Sequence, residues 1–297
     1  MIQSSSFSSR LKRSFTVAEV FLMRDFKLWT YFKVDFMMSL VDPAAMAIVY
    51  CIIAGIQRNG RFLEAYGNDF IAFIIIGLAA NSIMAVALSA PYQGLMESFW
   101  SNRLEMLLTA PISLPVFLVS SMLGKYIREF IFVALYLVIG IVLFHISLHP
   151  DGALIYAPII LVLAVGSCTG LGLLSASMVY YMDARGGQDP IRFVVGIIAG
   201  LASGAFFPLQ ILPHWAQWLA CSIPQTFALD AFRRVLMDGR SSSIKNLPIH
   251  YLFNTNPIIS DCILMLAYSL ILLPIGWHFF RNSILIAKKD GRLSRWA

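Results

Sequence analysis

Charged residues, paired cysteines and long polar stretches are all scarce in this chain of 297 residues. Only 13% of the residues are charged, whereas soluble domains contain about 25%. The four cysteines are scattered without a CxxC pair, so their spacing supports neither a zinc site nor a redox motif. No polar stretch is long enough to form a separate soluble domain. The composition also excludes a disordered chain, collagen-like repeats and a disulfide-stapled secreted domain.

The sequence patterns of common catalytic sites are missing as well. The histidines form no HExxH pair, and neither a GxxxxGK[ST] phosphate loop nor a GxSxG elbow occurs. We therefore predict that the chain is not an enzyme and does not bind ATP through a phosphate loop. Paired carboxylates within apolar segments, typical of proton-driven transporters, are also absent. Asp42, Glu129 and Asp261 are expected at the ends of spans.

Apolar residues dominate what is present. Hydrophobic residues make up 59% of the chain, and its mean hydropathy is +0.75. A soluble globule of this size could not bury so much apolar surface, so the composition predicts a polytopic membrane protein. The net charge of +6 would favour nucleic-acid binding in a soluble protein. Here the basic residues cluster beside apolar segments, so we interpret them as topology signals and predict no nucleic-acid partner.

We predict an all-α fold with six transmembrane helices, because each such helix needs about 20 mainly apolar residues. Segment 106–124 is also uncharged, but Pro111 and Pro115 argue against a regular helix through it. We interpret it as an interfacial approach to the third span, whose helix is expected to begin near Gly124. The predicted spans are 36–56, 70–92, 130–146, 154–181, 191–207 and 260–280.

An amphipathic helix is predicted over residues 10–33, before the first span. Apolar residues recur there at steps of three or four, while Arg13, Arg24 and Lys27 fall on the opposite side. This pattern is typical of a helix that lies in the membrane surface, with its basic face toward lipid headgroups. The alternative is a helix that packs on a soluble partner. Charges throughout the first 35 residues leave no apolar region for a cleaved signal peptide.

The distribution of Lys and Arg predicts which side of the membrane each loop faces. Of the 22 basic residues, 16 lie beside one side and 6 beside the other. The richer side is expected to be cytoplasmic, which places both termini and the loops near 93–123 and 182–190 inside the cell. The loops near 57–69, 147–153 and 208–258 are then outside.

The inside segment 93–111 is too polar to span the membrane and permits a helix until Pro111. Charged residues alternate there with large apolar residues, including Phe99 and Trp100. An amphipathic helix of this kind can bind a soluble partner through its apolar anchors, while its charges fix the register. A helix that merely rests on the membrane surface fits the composition equally well.

The outside segment 208–256 begins with an uncharged stretch that three prolines interrupt. An unbroken helix cannot pass through three prolines, and irregular backbone exposed to lipid would leave polar groups unpaired. We therefore predict two short helices, about 213–222 and 225–238, that re-enter the outer leaflet. The alternative is a seventh span over 209–229.

Aromatic and basic residues of this segment are expected at its wet edge. Trp215 and Trp218 should lie at the level of the headgroups, as tryptophan does at membrane interfaces. Arg233 or Arg234 should face water or anionic headgroups. Gly239 is expected to end the second short helix.

Small residues recur at steps of four in two of the predicted spans. Such stripes allow helix backbones to approach closely, either within one subunit or between subunits. The fourth span carries Gly166 and Gly170, and the fifth carries Gly196, Gly200 and Gly204.

Four features together resemble the permease subunits of ABC-type-2 exporters. They are the amphipathic helix before the first span, NRLEMLLTAPIS at 102–113, LGKYIRE at 123–129, and the stretch 203–239 with its proline break, short helices and arginine. The resemblance covers nearly the whole chain. It implies one transmembrane domain, residues 1–297, that forms half of a transporter in the plasma or inner membrane.

The resemblance also implies the partners of this chain. A second permease copy or a close homologue would enclose a path with it across the lipid bilayer. Two separately encoded ABC ATPase subunits, which bind ATP and Mg²⁺, would dock from the cytoplasm. No cofactor is then expected in the permease itself.

Three sets of residues correspond to functional positions of the family, although ordinary helix packing is the alternative for each path residue. The ATPase-coupling set is Glu97, Phe99, Trp100, Arg103, Glu105 and Leu107. The substrate path would be lined by Tyr50, Asn81, Ser82, Ser89, Phe206 and Phe207. The external gate would include Pro208, Pro213, Pro224 and Arg233.

Phe206 and Phe207 beside an outer gate favour a hydrophobic small molecule, a drug or a lipid-like substrate. Aromatic side chains also stack on sugars, so export of a lipid-linked or surface polysaccharide is the alternative. A non-transporting assembly or regulatory membrane protein is an alternative of another class. A lipid-modifying membrane enzyme is a third, against which the missing catalytic patterns count.

Overall fold

The computed structural model describes residues 7–56, 69–101, 103–104, 106, 113–146, 155–181, 189–206, 208–237, 247–251 and 256–290. In these ranges the chain is all helical, with nine α-helices and no strand, as the sequence predicts. The helices are α1 Phe7–Tyr31, α2 Lys33–Ile56, α3 Phe70–Trp100, α4 Leu114–Phe144, α5 Ala157–Tyr181, α6 Pro190–Ala202, α7 His214–Ala220, α8 Pro224–Met237 and α9 Pro257–Lys289. Short 3-10 helices lie at Leu209–Ile211 and Pro248–Tyr251.

Five of these helices are long and apolar enough to cross a membrane: α2, α3, α4, α5 and α9. The chain is therefore a multi-pass membrane protein. The predicted fifth span, 191–207, corresponds to α6, which has only 13 residues. At 1.5 Å per residue α6 is about 20 Å long, whereas the hydrocarbon core is about 30 Å thick. Helix α6 therefore cannot cross the bilayer by itself.

Two predicted boundaries were wrong beside the second and third spans. Helix α4 begins at Leu114 and runs through Gly124 without a break, so 114–124 is not an interfacial approach. Pro115 lies in the first turn of α4, where its missing N–H would have had no intrahelical partner. Helix α3 likewise continues past Pro91 to Trp100, so 93–100 forms its last two turns instead of a separate helix.

Helix α1 packs along α4, and a glycine permits the close contact. The Phe21 ring meets the Phe117 ring edge to face, with centroids 6.2 Å apart. At Gly124 a Cβ atom would lie 2.6 Å from the Oδ2 atom of Asp25, so no larger residue fits there without a shift. The helix predicted over 10–33 is thus present, and it is fixed to the bundle by one face.

The two glycine stripes have different environments. Helices α5 and α9 cross with their backbones in contact, since a Cβ atom on Gly276 would lie 2.5 Å from the carbonyl oxygen of Gly170. That stripe therefore serves packing within this chain. Gly196 and Gly200 of α6 have no atom within 4 Å of an added Cβ, so their stripe faces outward from the single chain.

The chain leaves the helical path directly after α6, at Ser203–Phe206, which we call the α6 break. Gly204 has a φ of 80°, a conformation that glycine adopts without strain. The guanidinium of Arg233, on α8, donates to the carbonyl oxygens of Gly204 at 2.6 Å and Ala205 at 2.7 Å. Its Nε atom also donates to the carbonyl of Phe73 at 3.3 Å, and its Cζ lies 3.4 Å from the Phe73 ring centroid.

The expectation that Arg233 or Arg234 faces water was wrong. Arg233 is 2% exposed and Arg234 is 0% exposed. Backbone that leaves the helical path inside the protein has carbonyl oxygens without helical donors, and an arginine supplies several donors from one side chain. Arg234 instead pairs with the buried carboxylate of Asp230, one turn earlier on α8, at 2.7 Å.

The two short helices predicted in segment 208–256 are present as α7 and α8. Helix α8 is largely buried and contacts α3, α5 and α9, so it belongs to the core of the bundle. Helix α7 lies on the surface, where Trp215 is 71% exposed and Trp218 is also exposed. Gly239, which was expected to end the second helix, lies outside the described residues.

We predict that Gly77→Ala destabilises the protein, because Gly77 lies against the α6 break. An added Cβ would lie 2.3 Å from the Nη2 atom of Arg233 and 2.5 Å from the carbonyl oxygen of Ala205. Overpacking of a filled site typically costs about 1–3 kcal/mol. Thermal unfolding in detergent micelles should show a lower Tm than for the wild-type chain.

The matched control is Gly55→Ala in α2, where an added Cβ meets no atom within 4 Å. This variant should unfold at or slightly above the wild-type temperature, since alanine favours a helix more than glycine does. Equal Tm values for Gly77→Ala and Gly55→Ala would contradict the close packing at the α6 break.

Candidate functional site

Two residues that the resemblance assigned to the substrate path are brought together. The Tyr50 ring of α2 stacks on the Phe206 ring of the α6 break, with centroids 4.8 Å apart and planes 22° apart. Both side chains are half-buried. The stack therefore joins the first span to the point where the short helix α6 stops. Phe207, its predicted companion, lies outside the described residues.

The polar path candidates on α3 differ in their accessibility. Asn81 and Ser82 are half-buried, and the Ser82 hydroxyl donates to the carbonyl of Ala79 at 2.9 Å. Ser89 is buried inside the bundle, so its side chain does not reach an open face of the single chain. Glu129 of α4 is buried against Ser82. An apolar helix face with a few polar groups suits a ligand that is mostly apolar.

The proposed gate prolines lie at the joints of segment 208–237. Pro208 precedes the 3-10 helix and Pro213 precedes α7, while Pro224 opens α8. Proline is well suited to these positions because its fixed φ angle ends one element or begins the next. The fourth gate residue, Arg233, instead holds the α6 break.

The ATPase-coupling candidates occupy the end of α3 and the turn after it. Glu97 forms an ion pair with Lys125 of α4. Phe99 is buried among apolar side chains of the bundle, so it does not offer an anchor to a partner. Trp100 is 45% exposed and meets the Phe99 ring edge to face at 5.8 Å.

Beyond Trp100, Arg103 is exposed, and so is Met106, whereas Leu104 is buried. Glu105 and Leu107 lie outside the described residues. The described part of this segment thus presents alternating exposed and buried side chains, with Trp100 and Met106 as its exposed apolar groups.

Sequence reasoning missed the buried charges of the bundle. Asp261 lies near the start of α9, at a span end as expected, but it is fully buried and lies against Asp230 and Arg234. The expectation that Glu129 lies at a span end was wrong, because it is buried in the middle of α4. The spacing of Asp230 and Arg234, four residues apart in a helix, was the available signal. The described residues contain no group of three or more His, Cys, Asp or Glu that could hold a metal ion.

Comparison with known proteins identifies the family. A model of the ABC-2 type transporter family matches residues 18–237. The chain is 23% identical to ABC transporter G family member 20 of Dictyostelium discoideum over 192 residues, which cover 63% of this chain and 25% of that protein. It is 25% identical to the inner membrane transport permease YadH of Escherichia coli K12 over 195 residues, which cover 66% of this chain and 74% of YadH.

The aligned region therefore spans about a quarter of the Dictyostelium protein. The family match, by contrast, covers most of this chain, from α1 to the end of α8. It includes the Tyr50–Phe206 stack, the coupling candidates and the α6 break. The chain therefore belongs to the ABC-2 type transporter family of membrane transport permeases, whose members work with ABC ATPases.

Proposed function

We propose that the chain is the permease half of an ATP-driven exporter that moves a hydrophobic small molecule, a drug or a lipid-like substrate out of the cell. The observation that carries the proposal is the Tyr50–Phe206 stack, which joins α2 to the α6 break. Its aromatic faces suit an apolar cargo, and the half-buried Asn81 and Ser82 on α3 add few polar groups. The cargo passes this stack on its way outward.

Two copies of the chain, or one copy and a close homologue, enclose the path. The outward-facing stripe of Gly196 and Gly200 supports this arrangement, since it leaves α6 open to a second backbone. Phe193, Val194 and Ile197 of the same helix are exposed and apolar. A helix too short to cross the bilayer is thereby sheltered by another subunit.

The proposed topology has six membrane passages. The fifth consists of the short helix α6 together with α7 and α8, which follow it in the chain. Both termini are then cytoplasmic, as the asymmetry of the basic residues predicts, although Lys125 and Arg128 of the 16 counted on that side lie in the middle of α4. The name of the Escherichia coli relative supports the inner membrane as the location. Two ATPase subunits bind ATP and Mg²⁺ and contact the segment around Trp100 and Arg103.

The proposed cycle uses the attachment of α8 to the α6 break. Arg233 joins α8 to Gly204, Ala205 and Phe73, so these elements move together. Closure of the cytoplasmic halves by ATP binding separates this unit from its counterpart in the second subunit. The outer end of the path then opens and releases the cargo.

The first prediction of this proposal concerns ATPase binding. Trp100→Ala removes the exposed aromatic anchor, and loss of a central anchor costs about 2 kcal/mol or more of binding free energy. The affinity of the ATPase should fall about thirtyfold. Co-purification of a tagged ATPase with the permease measures this loss. Trp215→Ala is the matched control, because Trp215 is an exposed tryptophan on α7 and its loss should leave ATPase binding unchanged. An unchanged yield of ATPase with Trp100→Ala would exclude Trp100 from the interface.

The second prediction concerns topology. Single cysteines at Ser4, Asn59, Ser242 and Ser294, introduced into a chain without Cys51, Cys168 and Cys262, are treated in intact cells with a membrane-impermeant thiol reagent. Asn59→Cys and Ser242→Cys should react, while Ser4→Cys and Ser294→Cys should not. Cys221 can remain, since its side chain is only 6% exposed. Labelling at position 4 or 294 would contradict the proposed orientation, because it would show that a terminus lies outside the cell.

The third prediction concerns the path. Tyr50→Ala removes the aromatic stack on Phe206, whereas Tyr50→Phe keeps the ring and loses only the hydroxyl. An aromatic pair contributes about 0.5–1.5 kcal/mol beyond its buried area. ATP-dependent uptake of lipophilic dyes into inside-out vesicles that contain the permease and its ATPase should fall for Tyr50→Ala and persist for Tyr50→Phe. Equal uptake by both variants would place the path elsewhere.

A further inference from the structure

A cavity of about 290 Å³ lies where α1 joins α2, far from the Tyr50–Phe206 stack. Its walls come from α1, the first turn of α2, the last turns of α3 and the middle of α4. The stack, in contrast, lies beside the first turns of α3, at the other end of the bundle. The cavity is lined by apolar side chains, including Phe26, Leu28 and Phe32, and by charged side chains, including Asp35, Lys125 and Arg128.

The charged residues of the cavity differ in whether they are paired within the described part of the chain. Lys125 pairs with Glu97, and Arg24 binds the carboxylate of Asp25 at 2.6 Å. Neither Asp35 nor Arg128 forms an ion pair with any described residue. The Nε atom of Arg128 is buried and has no hydrogen-bond partner among the described residues, although a buried polar atom of this kind is normally paired.

The surroundings of the cavity are apolar and exposed. Phe26, Leu28 and Phe32 are each about half exposed, and Ile127 of α4 is exposed as well. These side chains lie in the region where α1 meets the first membrane-spanning helix. A ligand with a charged head in the cavity could therefore place a hydrocarbon tail on this surface.

We propose that this cavity binds the zwitterionic headgroup of a phosphoethanolamine lipid. The phosphate lies against Arg128, whose planar guanidinium is suited to phosphate oxygens. The ammonium group lies against the carboxylate of Asp35. The acyl chains lie along Phe26, Leu28 and Phe32. The leaflet occupied by this lipid follows from the proposed topology and is cytoplasmic, whereas the site itself does not depend on transport.

The headgroup would contact both α1 and α4, as well as the segment next to the coupling candidates. Glu97 borders the cavity and precedes Trp100 by less than one turn of α3. A bound lipid therefore holds α1 against the region to which the ATPase is proposed to bind.

The test is native mass spectrometry of the purified full-length chain, without ATPase, titrated with short-chain phosphatidylethanolamine or phosphatidylglycerol. Both lipids carry a phosphate, but only the first carries an ammonium group. The wild-type chain should bind phosphatidylethanolamine up to about fivefold more tightly, the upper range for a partly exposed ion pair. Asp35→Asn should abolish this preference and leave phosphatidylglycerol binding intact. Arg128→Gln should weaken both lipids about tenfold, as expected for a charge-assisted hydrogen bond.

Matched controls are Asp42→Asn on α2 and Arg192→Gln on α6, since both residues are exposed and do not line the cavity. Both controls should bind the two lipids as the wild-type chain does. Arg128→Lys retains a charge and should bind more tightly than Arg128→Gln, which separates loss of the site from misfolding. Soluble phosphoethanolamine, tested alone, should bind much more weakly than the lipid.

Three outcomes would overturn the proposal. Equal affinity of the wild-type chain for the two lipids would exclude the ammonium site at Asp35. Lipid binding by Asp35→Asn and Arg128→Gln that matches their controls would exclude the cavity. Soluble phosphoethanolamine binding as tightly as the lipid would show that the ligand is a free metabolite. None of these outcomes tests transport, so failure of the lipid proposal would leave the proposed function unaffected.

Discussion

The architecture depends on how the backbone carbonyl groups of the α6 break are satisfied. Irregular backbone inside the protein has acceptors that neither water nor lipid can pair, and each unpaired group in a lipid-like environment costs several kcal/mol. Arg233 meets this requirement from α8, with donors to Gly204 and Ala205, and it also binds the carbonyl of Phe73 on α3. One side chain thus connects three elements. Helix α8 must therefore be buried, because its Arg233 has to reach the α6 break.

A buried ion pair next to Arg233 also fixes the position of α8. Arg234 pairs with Asp230 on one helix, and Asp261 of α9 lies against both. Arg234 is an opposite charge for both carboxyl groups, so its position connects α8 to Asp261 of α9. The segment formed by α7 and α8 is therefore fixed on two sides through α8, by α3 and the α6 break on one and by α9 on the other. Helix α7, in contrast, lies on the surface of the chain.

Hydropathy predicted the long helices because lipid imposes a simple rule: an apolar segment must satisfy its own backbone, and a helix does so. The prolines likewise predicted α7 and α8. Sequence reasoning failed where a residue's role depends on distant partners. Arg233 was taken for a surface residue because the acceptors it binds lie 28 and 29 positions away. Phe99 and Trp100 are adjacent and both aromatic, but neighbouring side chains point about 100° apart on a helix, so one is buried and the other exposed.

The uneven burial of the long helices links the position of α2 to assembly. Within its most apolar stretch, 11% of α2 is buried in the single chain, compared with 72% of α3. Intrachain contacts therefore contribute little to holding α2, and in the proposed assembly the remainder comes from lipid and from the second subunit. By mass action, dilution of the subunits weakens that second contribution. Tyr50 therefore contributes to the wall of the path only when the transporter is assembled, and assembly depends on the concentration of the subunits.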